Sequence, residues 1–322
     1  MLTSYSAGID LGGTQTKIAL VSAPGNVLVF RKLPCAAGRP PEAALAEARR
    51  GLEQIAQECG LAYPPPDGCG IGTPGVVDHQ TGWLTFSGPH GWRDVDLASL
   101  GQRQLGCEVS VDMDVNAGVL ADLYLGCARA SSDVLYVTWG TGIGSALVVG
   151  RQVYHSRGGA ACNLGHTLAD PYSDRLCYCG CRGCLEIEAG GRGLSEEAAQ
   201  HLAAGASSIL RGLPSPITPE QIAWAAEQGD ALASAMLQRA ALLMARALAG
   251  ALAILNPDTA ILAGGVSRCW PVIRHAFEGE LRRRLPKFLL DLTRVVVSDF
   301  QEDAGAIGAA LLRLHPGARL PE

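Results

Sequence analysis

Four thiols fall within one eight-residue stretch, Cys177-Tyr178-Cys179-Gly180-Cys181-Arg182-Gly183-Cys184, and Gly165-His166 stands shortly before it. Zinc takes four nitrogen and sulfur donors in a tetrahedron, and a short glycine-bearing knuckle can aim two or three thiolates at one point. His166, Cys177, Cys179 and Cys184 are therefore assigned as ligands of a structural Zn²⁺. Cys181 is left over, although spacing alone does not exclude it in place of a neighbour. A closed set of four leaves no position for a reacting water. The ion would instead fix the ring of His166, whose other nitrogen could face a substrate. Disulfides inside the knuckle are the competing arrangement, and they suit a reducing compartment poorly.

A second chemistry-bearing stretch is Asp10-Leu11-Gly12-Gly13-Thr14-Gln15-Thr16-Lys17, set between the apolar runs 7–9 and 18–21. It predicts the tight turn of a β-hairpin. Adjacent glycines let backbone N–H groups approach phosphate oxygens, Thr14 adds a hydroxyl, and Lys17 adds positive charge. The spacing fits neither a Walker loop nor a dinucleotide fingerprint, which opens a helix. Asp10 faces the same space and could hold Mg²⁺ directly or through water. Residues 134–149 repeat the design: an apolar strand, the turn Gly140-Thr141-Gly142-Ile143-Gly144, and a second apolar strand. Thr141 and Gly142 are thus further phosphate candidates, and two such hairpins imply an internally duplicated fold. Gly264-Gly265, ending the apolar run 259–263, would admit a purine or ribose close to the backbone.

The third stretch, Val109-Ser110-Val111-Asp112-Met113-Asp114-Val115-Asn116, delivers two carboxylates and an amide at the end of a strand. A kinase acting on an alcohol needs a carboxylate there to accept the hydroxyl proton. Asp114 is the candidate. The plainer role for it is N-cap of a following helix, expected over 118–125.

These residues must be positioned by a β-meander over 5–34, a helix over 42–59, a buried strand breaking at the Gly/Pro turn of 70–78, and a late strand over 295–298. A small-residue helix near 303–311 is expected to pack back on the first domain. The most apolar helical run, 240–255, is interrupted by Arg246, so neither an export signal nor a membrane span is expected. A net charge of -5 argues against a general nucleic-acid binder. Eleven cysteines in a chain of 322 residues without a charged, apolar leader suit a cytoplasmic, metal-binding protein.

Together, the opening Asp-x-Gly-Gly-Thr-x-x-Lys, the turn from Gly70 to Gly75, Asp114 with Asn116, the 140–144 turn, Gly165-His166, the Cys-x-Cys-Gly-x-x-Gly-Cys-x-Glu signature ending at Glu186, Gly264-Gly265 and Asp303-Ala-Gly-x-Ile-Gly-Ala-Ala resemble the ROK family of sugar kinases and repressors. The resemblance runs over essentially the whole chain. It implies an α/β chain with the actin-like ATPase (ribonuclease H-like) fold, two domains with a cleft between them, a zinc ion, and a homodimer or homotetramer. The expected division is 1–112 plus 299–322 against 113–298. It further implies ATP-dependent phosphorylation of a sugar hydroxyl, typically on C6. By position, Asp114 would be the base, with Asn116 beside it; His166 and Glu186 would bind sugar hydroxyls, and Gly75 would shape the pocket floor. The family's repressors carry an N-terminal winged helix, and only nine residues precede Asp10, which favours the kinase branch.

The departures from the family pattern bear on the substrate. Met113 replaces an Asn, Asn163 stands where glucokinase-like members have Glu, and Gly88 stands where an Asn commonly precedes the Trp at 92. Each lost polar group removes a contact by which a site rejects analogues. Residues 165–171 are similar to N-acetylmannosamine kinases, which also lack that Glu. The expected acceptor is therefore a hexosamine or acetylhexosamine, with glucose, other amino sugars or a cyclitol behind it. A non-catalytic sugar sensor is the alternative from another class.

Overall fold

The computed structural model describes residues 4–13, 15–23, 25–35 and 38–314. Elements are numbered along the chain. The first stretch holds β1 (Tyr5–Leu11), β2 (Gln15–Ser22), β3 (Val27–Pro34), α1 (Pro41–Glu58), β4 (Cys69–Thr73), β5 (Val76–Asp78), β6 (Trp83–Ser87), β7 (Trp92–Asp96), α2 (Leu97–Leu105), β8 (Val109–Met113) and α3 (Asp114–Tyr124). There follow β9 (Val134–Trp139), β10 (Ile143–Val149), β11 (Gln152–Val153), α4 (Leu185–Ala189), α5 (Gly191–Ala203), α6 (Pro219–Glu227) and α7 (Ala231–Leu255). The chain ends with β12 (Thr259–Ala263), α8 (Trp270–Arg284), α9 (Lys287–Leu290), β13 (Arg294–Val297) and α10 (Ala304–Leu314).

Two compact units divide the described residues. One takes those up to 134, 146–161 and those from 298 onward; the other takes 135–145 and 162–297. The sequence placed the division at 112/113 instead. Part of the difference is α3, which follows β8 directly and packs on α10, so it joins the first unit; 146–161 joins it as well.

In the first unit, β1, β2 and β3 form the expected meander, and β4 and β8 extend it in parallel, giving the order β3-β2-β1-β4-β8. β1 and β4 are buried along their whole length. That burial follows from α10, a helix of small residues lying with its backbone against theirs. A Cβ on Gly8 would stand 1.9 Å from the Ala306 carbonyl, and one on Gly70 would stand 1.7 Å from that of Ala309. On the other side of α10, a Cβ on Gly308 would meet the Ala117 carbonyl of α3 at 1.8 Å. Only glycine at these three positions permits such close layers. The amphipathic α1 buries Leu45, Leu52 and Ile55 in the same unit, and α2 is capped by Asp96, whose carboxylate accepts from the Ser99 N–H.

The second five-stranded sheet has the order β11-β10-β9-β12-β13, with β12 and β13 parallel. It repeats the plan of the first sheet: a third strand, a second, a first, then two more. The core of the second unit gathers Trp139, Leu194, Leu237, Met244, Leu248, Leu262 and Phe277. α7 is long and apolar enough to cross a membrane by length and composition alone, and Leu237, Ala241, Met244, Leu248 and Leu252 along it lie in that core.

α3 begins four residues earlier than the sequence indicated. Met113, in extended backbone and without a side-chain cap bond, takes the N-cap position, and Asp114 is the first helical residue. Its carboxylate does not cap the helix from outside.

Candidate active site

In the first unit the parallel register of β1, β4 and β8 places Asp10 beside Gly72 and Gly72 beside Asp112. All three strands therefore end on the same side, and ligands of open α/β sheets gather at such carboxyl ends. Gly72 leaves room for the chain to turn directly into α3, since its Cβ would lie 3.3 Å from the Asp114 Cα. Asp114 Oδ1 accepts from the Val115 N–H at 2.8 Å. Burial, and secondarily the charge of Asp10, push the Asp114 carboxyl up to about 7. Burial also raises Asp10, and Lys17 partly offsets this.

Lys17 lies opposite Asp10 across the β1–β2 ladder, and its Nζ is 3.7 Å from Asp10 Oδ2. The same ammonium donates to the Glu302 carbonyl at 2.5 Å. It is thus tied to the protein rather than held out over the turn. Gly12 and Gly13 form that turn, with the Cys35 thiol 3.8 Å from each of their carbonyl oxygens. Thr14 lies outside the described residues. Gly75, at φ +129°, links β4 to β5, and a Cβ there would strike the Phe86 carbonyl at 2.1 Å.

Several neighbours escaped the sequence reading. Asp112 Oδ1 accepts from the Met113 N–H at 2.7 Å and from Asn116 Nδ2 at 2.9 Å, while its Oδ2 pairs with His155 Nε2 at 2.7 Å. His79 stacks on His155 with ring centroids 3.5 Å apart. Desolvation, and then the His155 ring, lower the His79 pKa. Asn116, expected beside the sugar, thus gives its amide N–H to Asp112 and stiffens the start of α3. His90 is the other omission: its Nε2 bonds the Leu11 carbonyl at 2.7 Å and its ring stacks on Trp92, so the 88–92 loop is fastened to the end of β1.

In the second unit the β9–β10 turn closes with the Gly140 N–H bonded to the Gly142 carbonyl at 3.0 Å. The carboxylate of Glu186, on α4, accepts from the Ile143 N–H at 3.0 Å. A Cβ on Gly142 would stand 2.4 Å from Glu186 Oε2, so glycine is what lets that carboxylate reach the turn. Burial raises the Glu186 pKa. The Thr141 carbonyl accepts from the Arg192 N–H, and a small cavity of about 20 Å³ is lined by Thr141, Cys177, Tyr178, Glu186 and Arg192. Gly264, at φ +89°, lies against the end of β9, where a Cβ would meet the Trp139 carbonyl at 2.7 Å; Gly265 follows as a short 3₁₀ turn begins.

The donor atoms of His166, Cys177, Cys179 and Cys184 all lie within 4.8 Å of one another. His166 Nδ1 is 3.7 Å from Cys177 Sγ, and the Cys179 and Cys184 sulfurs are 3.6 Å apart. A tetrahedron with zinc–sulfur bonds of about 2.3 Å spaces its sulfurs by roughly 3.8 Å, so this donor set fits zinc. Cys181 is not in the cluster and is exposed, and all eleven cysteines are free thiols. His166 Nε2 meets the Tyr178 hydroxyl at 3.0 Å, a partner the sequence did not suggest for that second nitrogen. The Asn163 carbonyl accepts from the His166 N–H at 3.0 Å and helps set the short turn that presents the ring. A wide depression of about 480 Å³ lined by Pro64, Asp67, Cys107, Glu108 and Arg313 lies at the opposite ends of β4 and β8 and contains none of these residues.

The sequence matches the family described as ROK over residues 6–315. It is similar to the glucokinase of Thermotoga maritima, at 32% identity over 94% of this chain and 95% of that one. It is also similar to the N-acetylmannosamine kinase of Escherichia coli O157:H7, at 31% identity over 94% of this chain and 96% of the relative. Among solved structures, a ROK glucokinase from Streptomyces griseus in complex with glucose and AMPPNP superimposes with a TM-score of 0.83 at 28% identity, covering 96% of this chain and 99% of that one. The fold is accordingly the actin-like ATPase fold. With the match running over nearly its full length, the chain belongs to the ROK family.

Proposed function

We propose that this chain is an ATP-dependent sugar kinase that phosphorylates a hydroxyl, of the primary C6 type, on a hexose or hexosamine. The observation that carries the reading is Asp114: a carboxyl at the end of β8, beside Asp10 and tuned to about 7, can take a hydroxyl proton at neutral pH. Asp114 accepts the proton as the hydroxyl oxygen attacks the γ-phosphorus in line. The glycine turns at Gly12-Gly13 and Thr141-Gly142 offer backbone N–H groups to the phosphates, and Gly264-Gly265 make room for the nucleoside. Asp10 would hold Mg²⁺, which neutralises charge on the phosphates when bound. Lys17, engaged by Asp10 and Glu302, holds the Asp10 carboxylate in place and reaches phosphate only by leaving them.

Glu186 and Asn163 take the sugar hydroxyls in this reading, His166 joins them only where its Nε2 exchanges the Tyr178 hydroxyl for one of the sugar's, and Gly75 bounds the pocket. Zinc on His166, Cys177, Cys179 and Cys184 is structural, fixing the His166 ring and the start of α4. N-acetylmannosamine or another amino sugar is favoured over glucose because Asn163 and Met113 replace the polar groups of glucokinase-like members. The protein would act in the cytoplasm as a homodimer or homotetramer, without nucleic acid or membrane. The test is ADP release across glucose, N-acetylglucosamine, N-acetylmannosamine, free amino sugars and cyclitols. Sugar-dependent release strongest with a hexosamine is the expected result; none with any acceptor would leave a sugar-binding protein without turnover.

A further inference from the structure

The zinc knuckle carries one thiol more than its metal needs. Cys181 is exposed, and its carbonyl accepts from the Cys177 N–H at 2.8 Å, which holds its backbone against the knuckle. It also forms, with Cys184, a Cys-x-x-Cys pair nested in the ligand set: Cys181-Arg182-Gly183-Cys184. Gly183, at φ +64°, makes the bend that returns the chain toward the cluster. A dithiol of that spacing closes readily into a disulfide, whereas neighbouring ligands one residue apart close into a tighter ring. Cys184 itself is buried and is the N-cap residue of α4, the helix that carries Glu186.

We propose that Cys181 is an oxidation site, a resolving thiol that takes Cys184 from the zinc when the protein meets a peroxide. The inference rests on the zinc assignment above and goes beyond it. In the first step the Cys181 thiolate attacks hydrogen peroxide: an S–O bond forms, the O–O bond breaks, and hydroxide leaves. The Cys184 thiolate then attacks the Cys181 sulfur; the S–S bond forms and a second hydroxide leaves. Two thiolates lose two electrons, peroxide is reduced to two waters after taking up two protons, and Zn²⁺, left with three ligands, departs. The consequence reaches the sugar side chain by way of α4, because a displaced Cys184 moves the start of the helix that holds Glu186 on the Ile143 N–H.

The experiment uses the full chain, purified reduced. Metal content is measured, hydrogen peroxide is added in steps, released zinc is read with a chromogenic chelator, and disulfides are mapped by peptide mass. One zinc per reduced chain, its release together with a Cys181–Cys184 disulfide, recovery with reductant plus zinc, and a raised sugar KM are expected. Cys181→Ser should hold zinc and keep the untreated activity, with release needing at least about tenfold more peroxide. Release from Cys181→Ser at the wild-type dose, a Cys177–Cys179 bridge with Cys181 still reduced, or a reduced protein without zinc would each overturn the proposal. ADP release by the untreated protein tests the kinase reading separately, so the two can fail independently.

Discussion

Asp114 sets the first prediction at the scale of single residues. Asp114→Asn keeps the size and the Val115 contact but cannot accept a proton, so kcat should drop by about 10²- to 10⁴-fold with the KM for ATP little changed. Steady-state kinetics with the sugar identified by the ADP-release panel check this. Wild-type kcat/KM should fall as pH drops below about 7, where the carboxyl gains its proton, and be level above it. The same shift acts on stability in a definite direction. From the ordinary carboxylate range up to about 7 the folded protein holds a proton that the unfolded chain has lost, so the contribution of Asp114 to stability declines as pH rises through that window. At pH 8, Asp114→Asn should therefore melt higher than wild type while catalysing far more slowly, an opposition that a simple folding defect would not produce. Gly142→Ala belongs at this scale too. Its methyl would displace the Glu186 carboxylate from the Ile143 N–H, so the sugar KM should rise about tenfold or more with only a small change in melting temperature.

Among the elements, α10 carries the heaviest demand on its neighbours. Gly70→Ala should cost about 3 kcal/mol in urea unfolding, because its methyl meets the Ala309 carbonyl and neither β4 nor the helix can withdraw without opening the layer. The sequence made much of this architecture legible. Apolar runs on either side of Gly12-Gly13 and of residues 140–142 specified both hairpins, and the alanines and glycines after Asp303 specified a helix suited to close packing. It was less informative where one residue type suits two places. Asp114 reads first as a cap and only then as a reacting carboxylate, and Met113 took the cap position in extended backbone with no side-chain bond to mark it. Nor could spacing reveal the Asp112–His155 pair, which joins residues 43 positions apart, or the stacking of His79 on His155. The Cys/His donor cluster, by contrast, was readable because a knuckle is a local object, with three of its four donors within eight residues.

For the molecule as a whole, the donor cluster predicts a dependence on metal. Removing zinc with a chelator under reducing conditions should lower the melting temperature and raise the sugar KM, and adding zinc back should restore both; unchanged values after verified metal loss would count against a structural ion. The division into two units predicts unequal sensitivity, since His166, the three cysteines and Glu186 all belong to the second unit while Asp114 and Asp10 belong to the first. Hydrogen exchange on the metal-free protein should therefore speed up first around 162–190.

The contact of α10 with the backbone of β1 and β4 has a consequence for synthesis. Gly8 and Ala306 lie nearly the whole chain apart, so a ribosome must deliver almost the entire polypeptide before the first sheet receives its covering helix. The second unit, although later in the gene, has all its elements by residue 297 and can mature sooner. Chains truncated just short of residue 304 and released should accordingly protect the later half from proteolysis and leave the earlier half open to it.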